Sequence, residues 1–186
     1  MIEAPHGRVP AVATGVKRSN PDKFVFTYQG DGDLAAIGTA ETVHVGARGE
    51  NIVVIFINNT IYGMTGGQMA PTTLIGQVTQ TTPFGRDSQL AGNPIRVCEM
   101  MATLSGTALA QRVAVDTVPH IRETKKAIRK AFENQKEKRG LSIVEVLSTC
   151  PTNWGLDPLK SLDFLREKMF AEYPLGVFRD GGEKKQ

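Results

Sequence analysis

Cysteine is nearly absent: the 186-residue chain has two, Cys98 and Cys150. That is too few for the disulfide framework of a secreted scaffold, and a reducing cytoplasm is the expected compartment. Long apolar runs are missing as well. No stretch approaches the roughly 18 uninterrupted apolar residues of a membrane-crossing helix, so no membrane partner is expected. Met1-Ile2-Glu3-Ala4-Pro5-His6 lacks the charged-then-apolar layout of a signal peptide. Excess charge is slight: a net charge of +3 gives little attraction for nucleic acid, and the basic residues form no stripe interleaved with aromatics. Hydrophobic residues make up 40% and charged residues 22% of the chain, an ordinary globular composition. The length suits a single domain over residues 1–186, with a polar, loose tail from Asp180 to Gln186.

What the chain does have is a pair of short motifs at the ends of two β-rich runs. Lys23–Gln29 reads as a buried strand that ends on Gly30-Asp31-Gly32-Asp33. Asn51–Ile57 reads as a second strand that ends on Asn58-Asn59, and Gly30 to Asn59 is 29 positions. Between them Asp33 reads as the N-cap of a helix running to about Arg48. This is a β-α-β unit, which favours a parallel sheet. Parallel pairing would bring the two tips together at the carboxyl edge, where open α/β folds bind ligands.

The chemistry of those tips suits a diphosphate held through a metal ion. Magnesium takes hard oxygen ligands in near-octahedral geometry, usually one or two carboxylates together with phosphates. Asp31 offers a carboxylate, Asn59 an amide oxygen, and a backbone carbonyl just beyond offers a third ligand. Gly30 and Gly32 allow a sharp turn and a close backbone approach to the ligand. Free amides at the start of the following helix would face its phosphates.

The remaining elements alternate regularly except in one segment. His6-Gly7-Arg8-Val9-Pro10 opens a helical stretch, Ala11–Arg18, which Ser19-Asn20-Pro21-Asp22 breaks. Thr60 to about Asn93 is rich in threonine, glycine and proline and has no period; so long a segment points to an ordered active-site loop. A short helix over Pro94–Leu104, a strand over Arg112–Val115 and a helix from Pro119 to about Lys138 follow. In the last of these, Ile121, Ala127, Ile128, Ala131 and Phe132 form the predicted buried face. Its basic residues, from Lys125 to Arg139, read as a solvated face, with docking of an acidic ferredoxin as the alternative. Ser142–Leu147 reads as a strand, and Asp157–Tyr173 as a closing helix carrying Leu159, Leu162, Phe164, Leu165, Met169 and Phe170.

Gly-Asp-Gly followed at this distance by Asn-Asn resembles the fingerprint of the thiamine-diphosphate (TPP) enzymes. The resemblance implies a TPP-binding α/β fold, mostly parallel with helices on both faces. It places Asp31, the Asn59 side chain and the Ile61 carbonyl on Mg²⁺, with Gly30, Gly32, Asp33, Asn58 and Tyr62 around the cofactor. A second set of residues narrows the likeness. The loop Thr65-Gly66-Gly67-Gln68 and Thr149-Cys150-Pro151 after the last strand resemble the beta subunit of a 2-oxoacid:ferredoxin oxidoreductase, nearest the 2-oxoglutarate type. The likeness runs from His6-Gly7-Arg8 to Tyr173-Pro174-Leu175-Gly176-Val177-Phe178.

That family implies oxidative decarboxylation of a 2-oxoacid to an acyl-coenzyme A, with electrons passed to ferredoxin. It puts His6, Gly7 and Arg8 near the cofactor, and Thr65, Gly67 and Gln68 around the reacting centre. Met64 and Gly66 become candidates for setting substrate size or charge. Cys150 becomes the fourth ligand of a 4Fe–4S cluster. The other three family cysteines precede this chain's His6 motif and are missing, so the expected chain is a fragment that begins at an internal methionine. Cys98, beside Val97 and Met100, reads as core. The carboxylate that activates TPP is expected on a partner alpha subunit, with gamma and delta subunits as further partners, because Glu41 falls mid-helix where it would be solvated. Alternatives are a non-redox TPP decarboxylase or carboligase, and a non-catalytic assembly subunit.

Overall fold

The computed structural model describes residues 1–181. A five-stranded sheet carries the site. Its strands are β1 (Phe26–Gly30), β2 (Val53–Asn58), β5 (Thr107–Ala114), β6 (Leu141–Leu147) and β7 (Gly176–Asp180), and a small hairpin of β3 (Ile61–Tyr62) and β4 (Gln68–Met69) stands beside it. The order is β1-β2-β6-β5-β7. The first four strands run parallel, and β7 pairs antiparallel with β5 at the edge. All four parallel strands therefore end on the same rim.

Helices cover both faces, as the sequence implied. On one side α1 (Val9–Ser19), α2 (Thr39–Arg48) and α4 (Val97–Ala102) bury Ala13, Val45, Val97 and Met101 against Val54, Phe56, Ala110 and Ile143. On the other, α5 (Val118–Lys136) buries Ala127 and Ala131 against Val53, Leu109, Val144 and Val146. Because strand side chains alternate between faces, β2 and β6 feed both layers, which explains their continuous apolar sequence. Among the described residues no helix is long and apolar enough to cross a membrane.

Several local expectations are corrected. β1 is an edge strand, not a buried one: Phe26 and Tyr28 stand 54% and 69% exposed, while Thr27 and Gln29 face inward. The predicted Asp33–Arg48 helix opens with a wide π-helical turn over Asp33–Ile37 before α2 begins. Asp33 makes no helix cap: it lies inside the π-turn, and its carboxylate accepts from the Gly7 amide and the Gln29 side chain instead. The closing helix is likewise interrupted: α7 (Pro158–Phe164), capped by Asp157, passes through a π-turn at Leu165–Met169 into α8 (Phe170–Glu172). Leu165 and Met169 are buried there, but Leu159 is exposed, as is much of Ile121 on α5. Two short helices, α3 (Ser88–Ala91) and α6 (Pro151–Trp154), complete the chain. β7 has no signal in the sequence; it takes in Asp180, where a loose tail was expected to start, the Gly181 amide donates to the Ala108 carbonyl at 3.0 Å, and residues 182–186 of that tail lie outside the described residues.

Candidate functional site

β1 and β2 are hydrogen-bonded neighbours with Gly30 opposite Ile57, so Asp31 and Asn59 leave the sheet side by side. Asp31 is buried at 3% exposure. Its Oδ1 accepts from the Gly32 amide at 2.9 Å, and its Oδ2 accepts from the Ile61 amide at 3.1 Å and the Thr72 hydroxyl at 3.0 Å. Burial pushes its carboxyl up to about 6, against the Thr72, Gly32 and Ile61 hydrogen bonds that hold it down. A carboxylate this deep gains most from a cation.

The end of the Asn59 amide lies 2.8 Å from the Ile61 carbonyl oxygen and 3.2 Å from Asp31 Oδ2. With the amide oxygen in that position, it lies beside the Ile61 carbonyl and Asp31 Oδ2, and the Ile61 amide donates to it at 3.4 Å as well as to Asp31. Ligands about 2.0–2.1 Å from magnesium in an octahedron sit about 2.9–3.0 Å from one another, so each of the two spacings from the Asn59 amide suits a pair of neighbouring ligands on such an ion. With the amide turned over, its nitrogen donates to both oxygens instead, which closes the site without a metal. Among the described residues no three of His, Cys, Asp and Glu gather at one point; the donor set here is one carboxylate, one amide and one carbonyl.

Tyr62 closes the turn. Its hydroxyl donates to the Gly32 carbonyl at 3.3 Å, and a methyl group on Gly32 would lie 2.1 Å from the ring. Burial, then the charges of Asp31 and Asp33, push the phenol up and keep it protonated. Asp33 reaches the N-terminal segment: its Oδ1 accepts from the Gly7 amide at 2.5 Å and lies 3.1 Å from His6 Nδ1, while Oδ2 accepts from Gln29 at 2.6 Å. His6 and Gly7 thus sit over the motif. Arg8 turns away to pair with Glu41, which stands in the first turn of α2 and is not the solvated mid-helix residue expected. Asn58 also turns away: its amide donates to buried Glu145 at 2.8 Å.

The threonine-rich segment forms a folded wall. Gly63 to Gly67 connect β3 to β4; Met64, Thr65 and Gly66 are exposed at this tip, while Gly67 is buried and Gln68 half-buried. Gln68 is tied to Thr65 through both its amide atoms. Arg86, 4% exposed, has no carboxylate partner among the described residues and donates instead to the carbonyls of Ala70, Pro71, Thr73, Ala91, Gly92 and Asn93. Nothing in the spacing of Thr60, Thr72 or Arg86 sets these residues apart in the sequence, and they were not anticipated.

Cys150 follows β6, the neighbour of β2, and lies against the hairpin. Asn153 Nδ2 donates to the Gly63 carbonyl at 2.7 Å and to Cys150 Sγ at 3.3 Å. The Trp154 indole N–H donates to the Asn59 carbonyl at 3.2 Å. Cys98 is fully buried, and burial pushes its thiol well up. Iron–sulfur clusters of this type use four thiolates, and among the described residues Cys150 is the one thiol at this rim, too few to hold a cluster by itself.

A mostly parallel α/β sheet with an acidic glycine turn and an amide on adjacent strand tips belongs to the class of open α/β folds, whose ligands bind at the carboxyl edge. Residues 2–146 match the family described as thiamine pyrophosphate enzyme, C-terminal TPP binding domain, and the chain belongs to that family. It is 49% identical over 179 residues to the ketoisovalerate oxidoreductase subunit VorA of Methanothermobacter thermautotrophicus, covering 96% of this chain and 38% of that protein. It is 38% identical over 171 residues to the 2-oxoglutarate synthase subunit KorB of Methanocaldococcus jannaschii, covering 89% of this chain and 59% of that protein. Among solved structures, the 2-oxoglutarate:ferredoxin oxidoreductase of Magnetococcus marinus, with 2-oxoglutarate, coenzyme A and succinyl-CoA bound, superposes with a TM-score of 0.74 at 26% identity, over 96% of this chain and 64% of that one. The chain thus spans less than two thirds of each of these proteins. The resemblance to 2-oxoacid:ferredoxin oxidoreductase beta subunits is borne out by these relatives.

Proposed function

We propose that this chain is the TPP- and Mg²⁺-binding subunit of a 2-oxoacid:ferredoxin oxidoreductase that converts a 2-oxoacid to an acyl-coenzyme A. The observation that supports the metal site is the end of the Asn59 amide lying 2.8 Å from the Ile61 carbonyl oxygen and 3.2 Å from Asp31 Oδ2. Bound TPP supplies the carbanion chemistry for decarboxylation. The protein's part is to hold the diphosphate through Mg²⁺ on those three oxygens, with Gly30 and Gly32 leaving room for it. Tyr62 and the hairpin tip, Met64 to Gln68, wall the space where the 2-oxoacid would lie.

The carboxylate needed to activate the cofactor is assigned to a partner subunit. Asp31 faces the metal point, Asp33 is engaged by Gly7 and Gln29, and Glu41 is paired with Arg8. Cys150 is assigned as one ligand of a 4Fe–4S cluster whose other thiolates come from outside these 186 residues. The substrate favoured here carries an uncharged side chain, as ketoisovalerate does. The segment from Asn59 to Gly85 has no lysine or arginine, and the Arg86 guanidinium is committed to backbone carbonyls, so the hairpin offers no clamp for the second carboxylate of 2-oxoglutarate.

Two measurements test this reading. Calorimetry with TPP and Mg²⁺ should show binding that Asp31→Ala abolishes; equal binding by the variant would refute the metal site. The native complex should then reduce ferredoxin faster with ketoisovalerate than with 2-oxoglutarate, and the reverse order would overturn the substrate assignment.

A further inference from the structure

Thr60 takes a backbone conformation that a β-branched residue avoids. Its φ is +62°, in the left-handed region, and the residue is completely buried between the two ligand-bearing positions Asn59 and Ile61. Such a turn persists only where its surroundings over-determine it. They do so here from both sides. Asn58 Oδ1 accepts from the Thr60 amide at 3.1 Å, the Thr73 hydroxyl donates to the Thr60 carbonyl at 2.5 Å, and Gln77 Nε2 donates to the Thr60 hydroxyl at 3.0 Å. The anchors are anchored in turn: Asn58 on Glu145 at 2.8 Å, and the Thr73 carbonyl on Arg86 at 2.6 Å.

The turn has a geometric product. It folds Ile61 back so that its amide donates to Asp31 Oδ2 while its carbonyl oxygen lies 2.8 Å from the end of the Asn59 amide. A Thr60 in the helical or extended region would carry that carbonyl elsewhere. We propose that Thr60, clamped by Thr73 and Gln77, is the positioning residue that aims the Ile61 carbonyl at the metal ion. Neighbouring Thr72, on the same loop, steadies the Asp31 carboxylate, so one threonine pair orders ligands from both strand tips. The inference rests on the Mg²⁺ reading above and adds residues that touch neither metal nor cofactor.

The test uses the native complex stripped of cofactor with EDTA and titrated with Mn²⁺ at saturating TPP, followed by electron paramagnetic resonance. Thr73→Val should weaken Mn²⁺ binding about tenfold, the worth of about one hydrogen bond, while the complex stays folded at the assay temperature. Thr73→Ser should restore affinity. Thr60→Gly, which accepts the left-handed turn without strain, should retain it. Gln77→Met, a half-exposed position, serves as the second removal of the clamp, and weaker binding is expected again. Unchanged Mn²⁺ affinity in both Thr73→Val and Gln77→Met would overturn the proposal. Loss of affinity in Asp31→Ala alongside those unchanged values would show that the metal site stands and the clamp does not. Undiminished affinity in Asp31→Ala would overturn both.

Discussion

Asn58 and Asn59 are adjacent at the end of β2 and point apart: the Asn58 amide donates to Glu145 at 2.8 Å within the sheet, whereas the Asn59 amide ends 3.2 Å from Asp31 Oδ2. Strand alternation makes this unavoidable, since successive side chains take opposite faces. The two positions should therefore fail differently. Asn59→Ala should weaken Mg²⁺ binding with little change in melting temperature. Asn58→Leu should lower stability by about 1–3 kcal/mol, because it strands buried Glu145 and the Thr60 amide. Thermal denaturation and calorimetry on both variants separate the roles, and matching profiles would contradict the assignment.

Asp31 should make metal binding sensitive to pH. Its carboxyl is raised to about 6 by burial, so the metal-free fold holds a proton that the unfolded chain has already released. Between about pH 4 and 6 the folded state binds more protons, and its stability falls as pH rises through that window. Mg²⁺ must displace the same proton, so its apparent affinity should drop about tenfold per unit below pH 6. The rise in melting temperature on adding Mg²⁺ and TPP should be large at pH 8 and small at pH 5. Equal rises would contradict the prediction.

Arg112 and Glu145 are both fully buried. The Arg112 guanidinium is bidentate to Glu99, at 3.0 and 2.6 Å, and its Nε lies 2.9 Å from Glu145 Oε2, out of line for a hydrogen bond. Tyr173 and Phe178 enclose it, with ring centroids 5.2 and 4.8 Å away. Replacing one member of a buried ion pair leaves an uncompensated charge, so Arg112→Met should cost about 3–5 kcal/mol in denaturant unfolding. Adding Glu145→Leu to that variant should recover part of the loss.

The two glycines of the turn should not respond alike. A methyl group at Gly30 meets nothing within 4 Å, whereas one at Gly32 would lie 2.1 Å from the Tyr62 ring. Gly30→Ala should leave the melting temperature of the cofactor-free protein unchanged. Gly32→Ala should displace Tyr62 and cost about 1–3 kcal/mol. Equal melting temperatures for the two variants would contradict the packing described.

The strand tips were legible because their signals are local. An aromatic-rich run ending in Gly-Asp-Gly and a β-branched one ending in Asn-Asn state both the element and its terminus. Tertiary pairing decided the rest. Phe26 and Tyr28 read as core because their residue types do, yet β1 ended at an edge with one face open. Arg8 was expected near the cofactor from the resemblance, and nothing in the sequence says that Glu41, 33 positions away, would take it. Thr60, Thr72 and Thr73 sit among many similar residues, and only the fold shows which hydroxyls face Asp31 and the left-handed turn. β7 was missed because its strand exists by pairing with β5.

Arg86 has a kinetic consequence. One guanidinium closing six carbonyls between Ala70 and Asn93 leaves that segment no cheap partial opening, since releasing one end frees buried donors at the other. Its amides should exchange with deuterium as a single cooperative class, and access to the metal point from that side should be gated by one concerted event rather than by a gradual loosening of the wall.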